Sequence, residues 1–302
     1  MPALICGSLA FDTITNFPGE FAQQILPEQV HILNVSFLVP TLRREFGGCA
    51  GNIAYSLSQL GGQPIVLATV GADGQSYVER IASWGASTAH VRVLDSSYTA
   101  QAIIITDSSN NQITAFHPGA MQWAHEAAVP ARDDIAIAII APDGRDAMLM
   151  HAAQLHAAGV PFIFDPGQGL PMFDGDELRR FIDRAQWLAV NDYEARMLCD
   201  RTGLSLEALS DSHLKGVIVT LGAEGCDVWE RGTCTRIPGV YVDDPADPTG
   251  CGDAFRAALL YGLEAGWPLE RCVRLGNRIG AAKIRCQGGQ NHVLTPSVLV
   301  DG

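Results

Sequence analysis

The chain has 302 residues, 47% of them hydrophobic, and a formal net charge of −13. That length and apolar content suit one large α/β domain or two small ones. The absence of any Lys/Arg cluster argues against a polynucleotide partner. No run reaches the roughly 18 apolar residues of a membrane span, and "MPALICGSLAFD" lacks the basic start and long apolar core of a signal peptide. The eight cysteines are scattered without a C-x-x-C pair, which points to reduced thiols in a cytoplasmic protein rather than zinc or disulfides. His151 and His156 are spaced wrongly for one helical face and are expected to face solvent.

In chain order, "ALICG" reads as a short apolar strand. Asp12 comes next, at its carboxyl end, where open α/β sheets bind ligands, though a plain turn residue is the simpler role. Residues 13–46 do not fit the strand–helix rhythm of the later chain. The run "HILNVSFLV", bracketed by Pro27 and Pro40, has the composition of one or two strands and is read as part of a flap. In "GGCAGNIAYSLSQLGG", Ala50, Ile53, Ala54, Leu57 and Leu60 fall on one helical face, with glycine pairs at both ends. "PIVLATVGADGQSYVERIASWG" reads as strand, turn and helix, and it lacks the Lys-Ser/Thr of a P-loop. "TAQAIIITDSSNNQITAFHPGA" reads as a hairpin turning at Ser108 to Asn111, the second half of the flap, with Phe116 near its end.

From residue 135 the order is regular. "IAIAII", "PFIFDPG", "WLAVN" and "GVIVTLG" are strands, separated by helices at Arg145 to His156, Glu177 to Arg184 and "DYEARMLCD". Strands alternating with helices imply an α/β fold with a mostly parallel sheet and helices on both faces. No repeat or linker divides the chain, so a single domain over 1–302 with a small β-sheet lid, from about 13–46 and 97–118, is expected.

The chain is organised around "DPTGCGDAF". Gly250 and Gly252 permit a tight turn and close ligand approach, and the apolar run after them is helical. Backbone N–H groups at a helix start attract an anion. Asp253 would repel that anion unless it takes a proton as phosphate is transferred. "DPTGCGD" resembles the D-T-x-G-A-G-D signature of the ribokinase-like (PfkB) family of carbohydrate and nucleoside kinases, with Pro248 and Cys251 as departures. "GGCAGN" resembles the family's first signature, "NDYEA" its N-x-x-E motif and "VTLGAEGC" its T-x-G-x-x-G stretch.

The resemblance implies a ribokinase-like fold and transfer of the γ-phosphoryl group of ATP to a primary hydroxyl. Asp253 is then the base, with Gly250, Cys251 and Gly252 in the anion loop. Asp12, Gly47, Gly48 and Asn52 hold the sugar, and Phe37 and Phe116 are candidates to touch the substrate. Asn191, Thr220, Gly222, Gly225, Gly252 and Asn277 border the nucleotide. Glu194, with Asn191, orders waters around Mg²⁺. Asp247 and Thr249, helped by carbonyls of Ile284 to Gln290, fill the positions of a monovalent cation such as K⁺. "GDAFRAAL" and "FDPGQ" lean toward prokaryotic nucleoside and adenosine kinases. A simple sugar kinase and a nucleotide-binding sensor with a relic site are the alternatives. A homodimer through the lid is a further expectation.

Overall fold

A computed structural model of the chain describes residues 1–25, 34–109 and 111–299. The strands are β1 (Pro2–Cys6), β2 (Ala10–Asn16), β3 (Thr41–Gly47), β4 (Gln63–Gly71), β5 (Val91–Leu94), β6 (Ala100–Thr106), β7 (Gln112–His117), β8 (Ile137–Ile140), β9 (Phe162–Phe164), β10 (Trp187–Asn191), β11 (Gly216–Thr220), β12 (Gly225–Glu230) and β13 (Thr233–Pro238). The helices are α1 (Phe21–Gln24), α2 (Cys49–Gln59), α3 (Gln75–Ser83), α4 (Arg145–Ala157), α5 (Gly175–Ile182), α6 (Asp192–Thr202), α7 (Leu206–Ser210), α8 (Cys251–Glu264) and α9 (Leu269–Lys283). Among the described residues, no helix is long and apolar enough to cross a membrane.

Nine strands form one sheet in the order β13-β12-β11-β10-β9-β8-β1-β4-β5. Pairing is parallel from β11 through β5, while β12 runs antiparallel to both its neighbours. The central strands are apolar on both faces, because successive side chains point to opposite sides and both sides are covered. Ile5, Val66, Ile139 and Ile218 pack against Ile53, Tyr77, Leu259 and Val273 of α2, α3, α8 and α9. Leu4, Leu67, Ile140, Phe164 and Val190 pack against Met148, Phe181 and Leu198 of α4, α5 and α6. The antiparallel β12–β13 hairpin departs from the strand–helix rhythm of the sequence.

The second sheet has the order β3-β2-β6-β7. Its register puts Glu45, Asp12, Ala102 and Phe116 in one row across all four strands, hence on one face. Asp12 therefore belongs to this sheet rather than to the end of β1. The run expected as strand at 31–39 is corrected: 34–39 has no regular structure, the strand lies at 41–47, and 31–33 fall outside the described residues. Pro40 separates the irregular stretch from the strand, since it can donate no ladder hydrogen bond. The hairpin turn is held by the Asp107 carboxylate, which accepts from the N–H groups of Ser109 (2.9 Å) and Asn111 (2.8 Å). His151 is buried, not solvent-facing, and its Nε2 lies 2.7 Å from the Ala127 carbonyl. His156 is exposed.

Candidate active site

The starts of two helices, α2 and α8, meet beside the small sheet. α2 begins after Gly48, at φ +84°, and α8 after Gly250, at φ +79°, both in the region that L side chains rarely adopt. A Cβ on Gly48 would stand 2.6 Å from the Ala10 nitrogen, so β2 approaches α2 only because that atom is missing. Gly47 clears room for a functional group: its Cβ would lie 2.4 Å from Asp12 Oδ2.

The first turns of the two helices are joined by a side-chain contact. Asn52 Nδ2 donates to Asp253 Oδ2 at 2.8 Å. Asn52 is buried rather than solvent-exposed, and its Oδ1 accepts from Gln290 Nε2 at 3.1 Å. Its amide therefore holds the proposed base in addition to any role with a sugar. Gln290 ties the cluster together. Its Nε2 reaches the Tyr77 hydroxyl at 2.6 Å, and its Oε1 and backbone carbonyl accept from Arg80. Nothing in the sequence marks Gln290 beyond its place at the end of a glycine turn.

Asp253 is half-buried. Burial raises its pKa to about 6; the Asn52 hydrogen bond opposes the rise, Asp165 adds to it, and Arg256 and the Cys49 thiol oppose it. Asp12 is also raised to about 6, by burial first, then by Glu45 and Asp247. Around Asp253, the anion loop is narrower than expected. The Cys251 N–H donates to the Pro248 carbonyl at 3.1 Å. The N–H groups of Gly250, Gly252 and Asp253 have no partner within the described residues. A Cβ on Gly252 would project into space where the nearest atom, Arg256 Nη1, is 4.0 Å away, so the cradle is open where a ligand would lie. The Cys251 thiol, pushed by burial to about 11, is a poor nucleophile that fills the loop's underside.

Next to Asp253 lies an enclosed ion pair. Arg256, one turn after Asp253, donates from Nε (3.2 Å) and Nη2 (3.0 Å) to the two oxygens of Asp165, at the end of β9. Their side chains are each 6% exposed. "GDAFRAAL" and "FDPGQ" thus meet through one bidentate contact.

Asn191 and Thr220, expected to border a nucleotide, are register partners at the carboxyl ends of β10 and β11. Asn191 caps α6 in a reciprocal box: Glu194 N–H donates to Asn191 Oδ1 (2.8 Å), while Asn191 N–H and Nδ2 donate to the Glu194 carboxylate (2.9 and 2.8 Å). Burial, and secondarily Asp165, raises the Glu194 pKa, with the Asn191 bond and Arg256 opposing. These oxygen donors fit Mg²⁺ held through its waters, since each carboxylate oxygen keeps a lone pair beyond its bond to Asn191. Gly222 and Gly225, at φ +59° and +101°, shape the turn into β12. Asn277 is committed elsewhere, donating to the Pro238 carbonyl at 3.0 Å. Gly276 makes room for Phe255 rather than for a flat ligand, whereas a Cβ on Gly280 would point toward the anion loop, 4.0 Å from the Cys251 carbonyl oxygen.

At the place expected for a monovalent cation, Asp247 already meets an ammonium. The Asp247 carboxylate accepts from the N–H groups of Thr249 (2.9 Å) and Gly288 (2.8 Å), and its carbonyl accepts from the Lys283 ammonium at 2.7 Å. A second unit charge about 4 Å from that ammonium would be repelled by about 4 kcal/mol at an effective dielectric of 20.

Of the aromatic candidates, Phe116 is 55% exposed on the face that carries Asp12. Phe37 is half-exposed and packs its ring 5.0 Å from Phe17 and 5.1 Å from Phe21. β3 is fastened to the body by Arg43 to Gln287, by Glu45 to Asn291 (2.9 Å) and by Arg44 to Asp73 (3.0 Å).

Comparison with known proteins shows what the whole chain resembles. A nucleoside kinase from Burkholderia thailandensis, solved in complex with inosine, superposes with a TM-score of 0.88 at 50% identity, covering 98% of this chain and 95% of that one. The nucleoside kinase of Methanocaldococcus jannaschii is 29% identical over 89% of this chain and 88% of its own length. Ribokinase from Bacillus subtilis is 25% identical over 82% of this chain and 84% of its own. The family model for pfkB carbohydrate kinases matches residues 19–296, a span that includes both helix starts and the carboxylate between them, and the chain belongs to that family.

Proposed function

We propose that the chain is an ATP-dependent nucleoside kinase that phosphorylates the ribose 5′-hydroxyl of a purine nucleoside. The observation that carries this reading is the Asn52–Asp253 contact. It sets a carboxylate with a pKa of about 6 beside open backbone donors at a helix start. Likeness to the Burkholderia thailandensis enzyme, whose structures hold inosine and ADP-inosine, supports a nucleoside over a free sugar.

In this reading Asp12 accepts from ribose hydroxyls, in the space left by Gly47. Asp253 takes the 5′-hydroxyl proton as the O5′–Pγ bond forms and the bond from Pγ to the ADP oxygen breaks. The N–H groups of Gly250, Gly252 and Asp253 meet the charge on the transferring group. Asn191 and Glu194 would hold a hydrated Mg²⁺, which neutralises phosphate charge when bound. The small sheet closes over the cleft and excludes water. Its far face leaves Leu42, Ile103 and Ile113 exposed, which supports a second copy covering it. Phe116 lies where a base would rest on the near face.

A screen of adenosine, inosine, guanosine, cytidine, ribose and fructose with Mg-ATP tests the reading. Phosphorylation of purine nucleosides well ahead of ribose and fructose is expected. Preference for a free sugar would replace it with a sugar kinase, and ATP binding without turnover would leave only a sensor.

The base must be ionised to act. With its pKa at about 6, kcat/KM is expected to fall as pH drops through that value and to level off above about pH 7. A profile that stays flat down to about pH 4.5 would place the base elsewhere.

A further inference from the structure

Lys283, the last residue of α9, is completely buried. Its Nζ donates to the Asp247 carbonyl at 2.7 Å and to the Cys286 carbonyl at 3.1 Å. One carbonyl belongs to the anion loop and the other to the loop after α9. Cys251, the first residue of α8, has its Sγ 4.0 Å from the same Asp247 oxygen. The Ile284 carbonyl accepts from the N–H groups of Ala246 and Asp247, and the Asp247 carboxylate reaches Thr249 and Gly288. The two loops are therefore cross-linked beside one enclosed ammonium.

We propose that Lys283 is a tethered monovalent cation: a positioning residue that braces the anion loop through the Asp247 carbonyl and makes phosphoryl transfer independent of added K⁺. The proposal rests on the kinase reading above. An ammonium offers three donors and no acceptor, so carbonyls are its natural partners. Held covalently, it stays at the loop without an ion having to bind. Its charge also acts at the α8 N-terminus, where it opposes the Asp247 carboxylate and reaches the Cys251 thiol. A free cation would compete for carbonyls that are already occupied.

The test is inosine phosphorylation by Mg-ATP in potassium, sodium or choline chloride at equal ionic strength, with thermal melting in the same salts. Wild-type kcat and melting temperature are expected to be the same in all three. Stimulation of kcat by K⁺ of about tenfold or more, the scale of one charge-assisted contact, would overturn the proposal. Lys283→Ala is expected to lower kcat about tenfold or more in choline with little change in inosine KM, and K⁺ or ammonium should restore part of the loss. A variant as active as wild type in choline, or a loss that neither cation restores, also overturns it. If the variant does not fold, the wild-type salt series decides. Failure to phosphorylate any acceptor in any salt would count against the kinase reading instead, and the melting comparison would still report on a cation site.

Discussion

Asp253→Asn is expected to lower kcat by about 10²- to 10⁴-fold, the range for loss of a general base, while leaving the KM for ATP nearly unchanged. The substitution keeps the geometry, because an amide oxygen can still accept from Asn52 Nδ2 in the place of Oδ2. Only the capacity to take a proton disappears. Stability provides the control. The Asp253 pKa is raised from 3.8 to about 6, so the folded chain binds this proton more tightly than the unfolded one. The associated stability is complete below about pH 4 and is lost as pH rises through about 6. At neutral pH the ionised carboxylate works against the fold, so the neutral amide should melt at the wild-type temperature or above it. Steady-state rates with inosine, beside a melting curve, separate the two effects. Turnover within about tenfold of wild type would remove Asp253 from the role of base.

Arg256→Met is expected to cost about 3–5 kcal/mol, because it leaves Asp165 buried and unpaired. For a domain of this size that is a fall in melting temperature of roughly 5–8 °C. Adding Asp165→Leu should recover most of the loss, since a buried ion pair can be replaced by apolar groups at little net cost. The pair also bears on the chemistry. Burial dominates the Asp253 pKa and Arg256 lowers it, so removing the guanidinium should move the acid limb of the rate profile to higher pH. A purely structural arginine would leave that limb in place. Melting temperature and pH profile of the single and double variants are the measurements. Stability of the single variant equal to wild type would contradict the enclosed pair.

Much of the site can be read along the chain because its parts are local. A glycine before a helix start reports a backbone angle, and Gly48 and Gly250 both adopt the positive φ their positions imply. Asn191 and Glu194 lie three residues apart and meet within one helical turn. The signatures at 47–52 and 247–253 imply one shared cleft, and Asn52 and Asp253 touch. Sequence is a weaker guide where polar groups find distant partners. Asn277 has the character of a ligand, yet its amide is used by Pro238. Cys251 lies within the anion loop, but its N–H is taken by Pro248. Residues 34–39 have strand composition but no regular structure, and the strand lies beyond Pro40.

Local chemistry written in the chain thus set the strand–helix order, the two glycine-led helix starts and the identity of the carboxylate between them. Each depends on backbone angles or side-chain periods spanning a few residues. Folding in three dimensions assigned Gln290 to Asn52, Arg256 to Asp165 and the Lys283 ammonium to the Asp247 carbonyl. It also buried His151 and turned β12 antiparallel. Whether a charge or an amide is enclosed, and what it then meets, depends on elements that pack together from far apart in the chain, and no short stretch of sequence carries that information.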